Sequence, residues 1–174
     1  MTLWDLASEH AMNQSPTLTK MVFDLDPDDC HGRPAESLWV EPVLTETSDK
    51  VGFVLQNSPF YARGVSYLDT ARGKAGDGAL EFDGVIARGG HSTYMILTLP
   101  VCPLFDAFWQ RLKALGCSYE SGSIKTGWGP RVLYSVDVPD TADIHGVHAV
   151  LNDGEKQTVW MFQEGHLGHK LDRR

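Results

Sequence analysis

The stretch RGGHSTYMILTLP, from Arg88 to Pro100, separates two different sequence patterns. It begins with glycines, continues with the polar residues His91, Ser92 and Thr93, and ends in the clearest apolar strand pattern of the chain. Short strand-like segments and turns precede it, whereas strand-like segments alternate with helix-like ones after it. The change predicts two structural units that meet at this stretch, with its apolar run as a central strand.

Residues 20–90 have the pattern of a β-rich subdomain. Short segments with apolar residues lie between turns rich in glycine, proline and asparagine, and they predict strands at residues 20–25, 36–43, 51–55 and 79–87. Consecutive short strands joined by turns favour an antiparallel meander that curls into a small open barrel. Residues 1–19 have short helical spacing and are expected to form an N-terminal arm or a short helix.

Residues 91–165 follow the order strand, helix, strand, strand, helix, strand. Pro103 and Pro139 suit helix starts, and Gly116 and Gly154 suit helix ends. The four strands are expected at residues 93–99, 118–124, 131–138 and 158–163. This order predicts an α+β protein whose second half is a ferredoxin-like βαββαβ subdomain with both helices on one face of an antiparallel sheet. A polar tail is expected at residues 166–174.

The charge of the chain is negative and uneven. The formal net charge is −8, and residues 1–90 hold 14 acidic against 7 basic side chains, whereas residues 91–174 hold 9 against 8. Such a surface repels a nucleic-acid backbone and attracts a basic partner. We therefore expect no nucleic-acid binding and a protein partner of opposite charge.

Composition also bears on the compartment and on the thiols. No apolar run approaches the roughly 20 residues that cross a bilayer, and no basic segment followed by an apolar one begins the chain. These features predict a cytoplasmic protein without a membrane contact. The three cysteines are expected to be reduced thiols, since an odd number in such a chain does not suggest a disulfide framework.

Motifs for catalysis or metal binding are incomplete. His145 with His148, and His166 with His169, have a spacing that can share a cation on a helix, but nothing at fixed spacing completes a zinc site. We therefore expect no metal and no cofactor. Neighbouring residues of a strand point to opposite faces, so His91 is not expected to activate the serine that follows it.

A family resemblance rests on three short motifs. These are Glu36-Ser37-Leu38-Trp39, then Asn57-Ser58-Pro59-Phe60-Tyr61 with Gly64 and Asp69, and Gly90-His91-Ser92-Thr93. Together they resemble the bacterial family called domain of unknown function 4265, over about residues 21–164. Met95 stands where a basic or polar residue is expected in such sequences. The resemblance implies no particular activity, but by analogy small acidic bacterial proteins of this kind are often immunity proteins.

Three functions follow as hypotheses. The first is a non-catalytic immunity protein that neutralises a basic toxin domain through Asp24, Asp26, Asp28, Asp29, Tyr61 and Arg63. The second is a small-molecule-sensing regulatory module that binds its ligand through Asn57, Asp69, His91, Ser92 and Thr93. The third is an enzyme in which His91 works with Asp69, which requires the two side chains to lie within hydrogen-bonding distance of each other.

Overall fold

The structure is a computed structural model that describes residues 17–28, 30, 32–44, 51–76 and 78–170. The expected N-terminal helix and Asp29 lie outside the described residues. Strands are β1 (Thr19–Asp24), β2 (Ala35–Leu44), β3 (Val51–Leu55), β4 (Thr70–Ala75), β5 (Leu80–Ala87), β6 (Ser92–Thr98), β7 (Ser118–Thr126), β8 (Gly129–Val138) and β9 (Met161–His166). Helices are α1 (Phe105–Ala114) and α2 (Ile144–Lys156).

The first five strands form a closed barrel, so the expected open barrel is wrong. Antiparallel pairs join β1 to β2, β2 to β3, β3 to β4 and β4 to β5, and a short parallel pairing of β1 with β5 closes the ring. The closing pair aligns Met21 with Leu80, two residues far apart in sequence. A local pattern does not encode such a long-range pairing. Closure removes the free edges that an open meander would expose.

Strand β4 is missing from the sequence prediction. Its sequence, TARGKA, carries little of the β-branched and aromatic character that identifies a strand. Gly73 lies where an added Cβ would come within 2.5 Å of Leu80 and 3.1 Å of Met21, so the barrel interior leaves no room for a side chain there. The buried interior includes Met21, Leu38 and Leu55. Tertiary packing therefore makes this segment a strand.

The second unit is a four-stranded sheet in the order β7-β8-β6-β9, with antiparallel pairing throughout. Strand β6 lies inside it and is almost wholly buried. Tyr94 and Ile96 point from β6 into a core that also receives apolar residues of both helices, such as Leu112 and Val147. The helices therefore cover one face of the sheet. None of the helices within the described residues is long and apolar enough to cross a membrane.

Helix α2 passes through Gly154 and ends at Lys156, so the prediction that it ends at Gly154 is wrong. Its N-terminus agrees with a capping pattern, because the Asp143 carboxylate accepts the backbone N–H of His145. Gly154 is required for packing rather than for a helix end. An added Cβ would lie 2.3 Å from the indole ring of Trp160, which is buried against the helix.

We predict that Gly154→Ala lowers the free energy of unfolding. The gain in helix propensity is smaller than the overpacking against Trp160, which costs about 1–3 kcal/mol. Urea denaturation measures the change. Gly127→Ala is the matched control, because nothing lies within 4 Å of an added Cβ there, and its stability should stay near that of the wild type. An unchanged or higher stability of Gly154→Ala would contradict the packing argument.

Candidate functional site

The loop of residues 56–69, between β3 and β4, joins the barrel to the sheet on the face opposite the helices. The Ser135 hydroxyl donates to the carbonyl oxygen of Pro59 at 2.6 Å, and the Thr93 hydroxyl bonds that of Ser66 at 2.9 Å. The backbone N–H of Ser58 donates to Glu120 Oε1 at 3.2 Å. This loop, called the junction loop below, therefore brings polar groups from both units together.

Glu36 at the start of β2 holds the middle of the junction loop. Its Oε1 accepts the backbone N–H of Phe60 at 2.7 Å, and its Oε2 accepts those of Tyr61 and Ala62 at 3.0 and 2.8 Å. Three N–H donors on one carboxylate are charge-assisted hydrogen bonds, which are stronger than neutral ones. One side chain thereby sets the path of the loop.

Asp69 connects the end of the junction loop to the chain that leads into β6. Its side chain is only 1% exposed, and it accepts the backbone N–H groups of Ser66 and Gly89 and a guanidinium N–H of Arg88 at 2.8 Å. Leu68, just before it, has φ of 62°, a backbone conformation that a leucine rarely adopts. The buried Asp69 carboxylate, through its ion pair with the half-exposed Arg88 and its backbone bonds, holds this strained turn in place.

His91 pairs with Asp137, and Asp69 pairs with Arg88. His91 Nδ1 lies 2.8 Å from Asp137 Oδ1, and the Tyr67 ring meets the imidazole edge-on at 5.4 Å. Burial raises the pKa of Asp137, although the hydrogen bond and the charge of His91 act in the opposite direction. His91 and Asp69 are therefore each bound to a different partner and do not form the hydrogen-bonded pair that the enzyme hypothesis requires.

A cleft of about 250 Å³, lined mainly by polar residues, lies where the junction loop meets β7 and β8. Its lining, which defines the junction cleft, includes Asn57, Ser58, Tyr67, Glu120, Ser135 and Asp137. Ser58 is 4% exposed, and its hydroxyl is a buried side-chain polar group with no hydrogen-bond partner within the described residues. A buried hydroxyl without a partner carries a desolvation cost, which a ligand can remove by bonding it.

Asn57 and Ser92, two of the residues predicted to bind a ligand, form structural hydrogen bonds near the cleft. The Asn57 amide oxygen accepts the backbone N–H of Trp39 at 2.7 Å, which anchors the loop to β2. Ser92 bonds His169 Nδ1 at 2.7 Å and also accepts the N–H of Gly168. Both residues are therefore bonded to partners outside the predicted ligand set, and among the five predicted ligand residues only Asn57 lines the cleft.

Of the residues predicted to bind a protein partner, the described aspartates lie at the barrel, whereas Tyr61 and Arg63 belong to the junction loop. Asp24, Asp26 and Asp28 are exposed, and Asp26 accepts the backbone N–H of Asp28 in a local turn. The Arg33 guanidinium carbon lies 4.9 Å from the centre of the Tyr61 ring, over its face. Arg63 is exposed. Tyr61 lines a second groove, of about 330 Å³, between the barrel and β7.

Two members of the histidine pairs, His148 and His166, have other polar partners in the structure. His148 is bonded to Asn152, whereas His166 Nε2 lies 3.2 Å from the Arg88 guanidinium. Burial and the Arg88 charge lower the pKa of His166, which favours the neutral imidazole that can accept this bond. In the part of the chain that the structure describes, no group of three His, Cys, Asp or Glu side chains is placed to hold a metal ion.

Comparison with known proteins identifies the family of the chain. The family described as a domain of unknown function (DUF4265) matches residues 36–162, which include the junction loop, the cleft and the whole sheet core. The chain belongs to the DUF4265 family. No curated protein matches this DUF4265 chain.

A solved structure has the same fold. It is a novel crystal structure of a hypothetical protein from Neisseria gonorrhoeae, with a TM-score of 0.63 and 18% sequence identity. The alignment covers 91% of the DUF4265 chain and 99% of the other. At this identity the similarity supports the fold and says nothing about activity.

Sequence reasoning missed several residues of the cleft in this DUF4265 protein, chiefly Ser58, Glu120, Ser135 and Asp137. Ser135 and Asp137 alternate with the valines of VLYSVDV in β8, so they share one face of an otherwise apolar strand. That alternation is the signal that could have found them. Glu120 is identified only by the pairing of β7 with β8, which aligns it with Ser135.

We predict that Glu36→Gln lowers the free energy of unfolding by about 1–3 kcal/mol, because the amide NH₂ faces backbone N–H groups that lose their acceptor. Chemical denaturation measures the loss. Glu41→Gln is the control, since Glu41 accepts a single side-chain bond from Gln56 and should change the stability much less. Equal effects of the two variants would show that Glu36 does not hold the junction loop.

Proposed function

We propose that this protein is a non-catalytic binding protein and that the junction cleft is the site of a small polar ligand. The observation that carries the proposal is the buried Ser58 hydroxyl, which belongs to a cleft-lining residue and has no partner among the residues that the structure describes. Native proteins satisfy nearly all such groups, and an exception suggests a functional role. A volume of about 250 Å³ has room for a small molecule or a single side chain.

The position of His91 supports binding rather than catalysis. His91 contacts Asp137 from within the junction and is not part of the cleft lining, whereas the Ser135 hydroxyl donates to a backbone carbonyl. The one serine–histidine bond among the described residues joins Ser92 to His169, outside the cleft. An activated nucleophile needs a base in contact with it, and the cleft offers no such pair.

We predict that Ser58→Ala stabilises the free protein and weakens ligand binding. Removing an unpartnered hydroxyl relieves its desolvation cost, which we expect to raise the free energy of unfolding by about 1 kcal/mol. A thermal-shift screen of polar metabolites gives the other half of the test. A compound that stabilises the wild type through the cleft should stabilise Ser58→Ala much less.

The control is Ser66→Ala, in which the hydroxyl bonded to Thr93 is lost. This variant should be less stable than the wild type, opposite in sign to Ser58→Ala. A destabilised Ser58→Ala variant would contradict the assignment of the Ser58 hydroxyl as a buried group whose desolvation is not compensated in the free protein. A screen in which no compound stabilises the wild type more than it stabilises Ser58→Ala would contradict the proposed function.

A ferredoxin-like class for the second unit belongs with this proposal. Its support is the element order β6, α1, β7, β8, α2, β9, together with the antiparallel sheet order β7-β8-β6-β9 and both helices on one face. In this arrangement the helices cover one side of the sheet and leave the other side to a partner. Here the junction loop lies on that other side, through the bonds of Ser135 to Pro59 and of Thr93 to Ser66, and the cleft lies where the loop meets β7 and β8.

The immunity function is our second proposal, and a separate observation favours it. Asp24, Asp26 and Asp28 are exposed close together in sequence, and none forms an ion pair with another described residue. Unpaired surface carboxylates can steer a basic toxin domain into contact. The proposal keeps the cytoplasmic location that the sequence predicts. It also includes Tyr61 and Arg63 of the junction loop as contacts of the toxin domain.

Co-expression with the neighbouring reading frames tests the immunity proposal. We expect one product to be toxic alone, harmless with this protein, and bound to it in pull-down experiments. A triple Asp24→Asn, Asp26→Asn, Asp28→Asn variant should associate more slowly, and the difference should shrink at high salt. A neighbourhood without a toxic or co-purifying product would refute it.

A further inference from the structure

The acceptors of the junction cleft define the chemistry of its ligand. Two carboxylates, Glu120 and Asp137, line the cleft, and no lysine or arginine lies among the lining residues. Such a site repels anions and favours a cation. Because it also lacks three metal-ligating side chains, within the described residues, a bare divalent ion is a poor match.

Each carboxylate is fixed through one oxygen and has a second one without a protein partner among the described residues. Glu120 Oε1 accepts the backbone N–H of Ser58, and Asp137 Oδ1 faces His91 Nδ1. Ser58, which also lines the cleft, has a hydroxyl with no partner in the described part of the chain and can supply a third acceptor. Two carboxylate oxygens and one hydroxyl oxygen match the three N–H donors of a primary ammonium group.

We propose that the junction cleft binds the primary ammonium group of an organic amine, held by Glu120, Asp137 and Ser58. The proposal rests on the function proposed above and names its ligand class. The role of His91 is to position Asp137, and Tyr67 supplies an aromatic wall beside the cation. The amine is either a free small molecule or the lysine side chain of a polypeptide, since both present the same group.

Butylammonium chloride is the first probe, because an alkylammonium stays protonated at neutral pH like the lysine side chain. In ¹⁵N-labelled protein, we expect saturable chemical-shift changes at the backbone amides of Ser58 and Glu120. Butanol and sodium butyrate, of similar size but neutral and anionic, should leave these amides unchanged. Nα-acetyl-lysine N-methylamide distinguishes the sources, since tighter binding than butylammonium assigns the site to a lysine side chain and weaker binding assigns it to a free amine.

Two variants test the acceptors without removing their structural bonds. Glu120→Gln keeps an oxygen for the Ser58 N–H, and Asp137→Asn keeps one for His91, while each loses its charge. Either change should weaken butylammonium binding about tenfold or more, as expected for the loss of a charge-assisted hydrogen bond. Glu81→Gln, which alters a carboxylate of the barrel that pairs with Lys74 and lies outside the cleft lining, is the matched control and should bind as the wild type does.

The outcomes separate this inference from the function on which it depends. Saturable binding of butanol or butyrate at the same amides, or butylammonium binding that is unaffected by both variants, would overturn the ammonium assignment and leave the cleft as a ligand site. No response of the cleft amides to butylammonium or to the lysine derivative would also overturn the assignment. If the metabolite screen then finds no cleft ligand either, the proposed function fails with it.

Discussion

The burial of strand β6 on both faces is the constraint on which the rest of the structure depends. One face packs against the helices through Tyr94 and Ile96, whereas the polar side chains of the strand need partners elsewhere. Thr93 bonds Ser66 of the junction loop, Ser92 bonds His169, and the Thr98 hydroxyl donates to the carbonyl oxygen of Val159. The junction loop and the chain after β9 are therefore needed to supply hydrogen-bond partners for the polar side chains of β6.

The same need for partners concentrates carboxylates at the junction. Three carboxylates, those of Glu36, Asp69 and Asp137, receive hydrogen bonds from the junction loop or from the chain that enters β6. Asp69 and Asp137 are buried, and Glu36 is partly buried. A buried carboxylate is stable only where donors surround it. The cleft differs from the rest of the junction because the Ser58 hydroxyl has no partner there among the described residues. Its distinguishing feature is therefore an incomplete set of hydrogen bonds within an otherwise satisfied interface.

Sequence patterns located the second unit well and the first unit partly. The apolar run after His91 predicts a strand at residues 93–99, and β6 spans Ser92–Thr98. The two agree because the apolar side chains of this segment are themselves the local signal of a buried strand. The last strand is shifted, with β9 at Met161–His166 rather than residues 158–163, since α2 continues past Gly154 to pack on Trp160. No local pattern predicts strand β4, because this segment becomes a strand through its pairing with β3 and β5 in the barrel.

By itself, the sequence determined the α+β class, the two helices and the central strand, since periodicity and turn residues are local properties. It also determined the family through short motifs in the junction loop and before β6. Only the tertiary structure decided the closure of the barrel, the partners of His91 and Asp69, and the junction cleft. The physical reason is distance along the chain: Ser58 meets Glu120 across 62 residues and His91 meets Asp137 across 46, and no local pattern specifies such contacts.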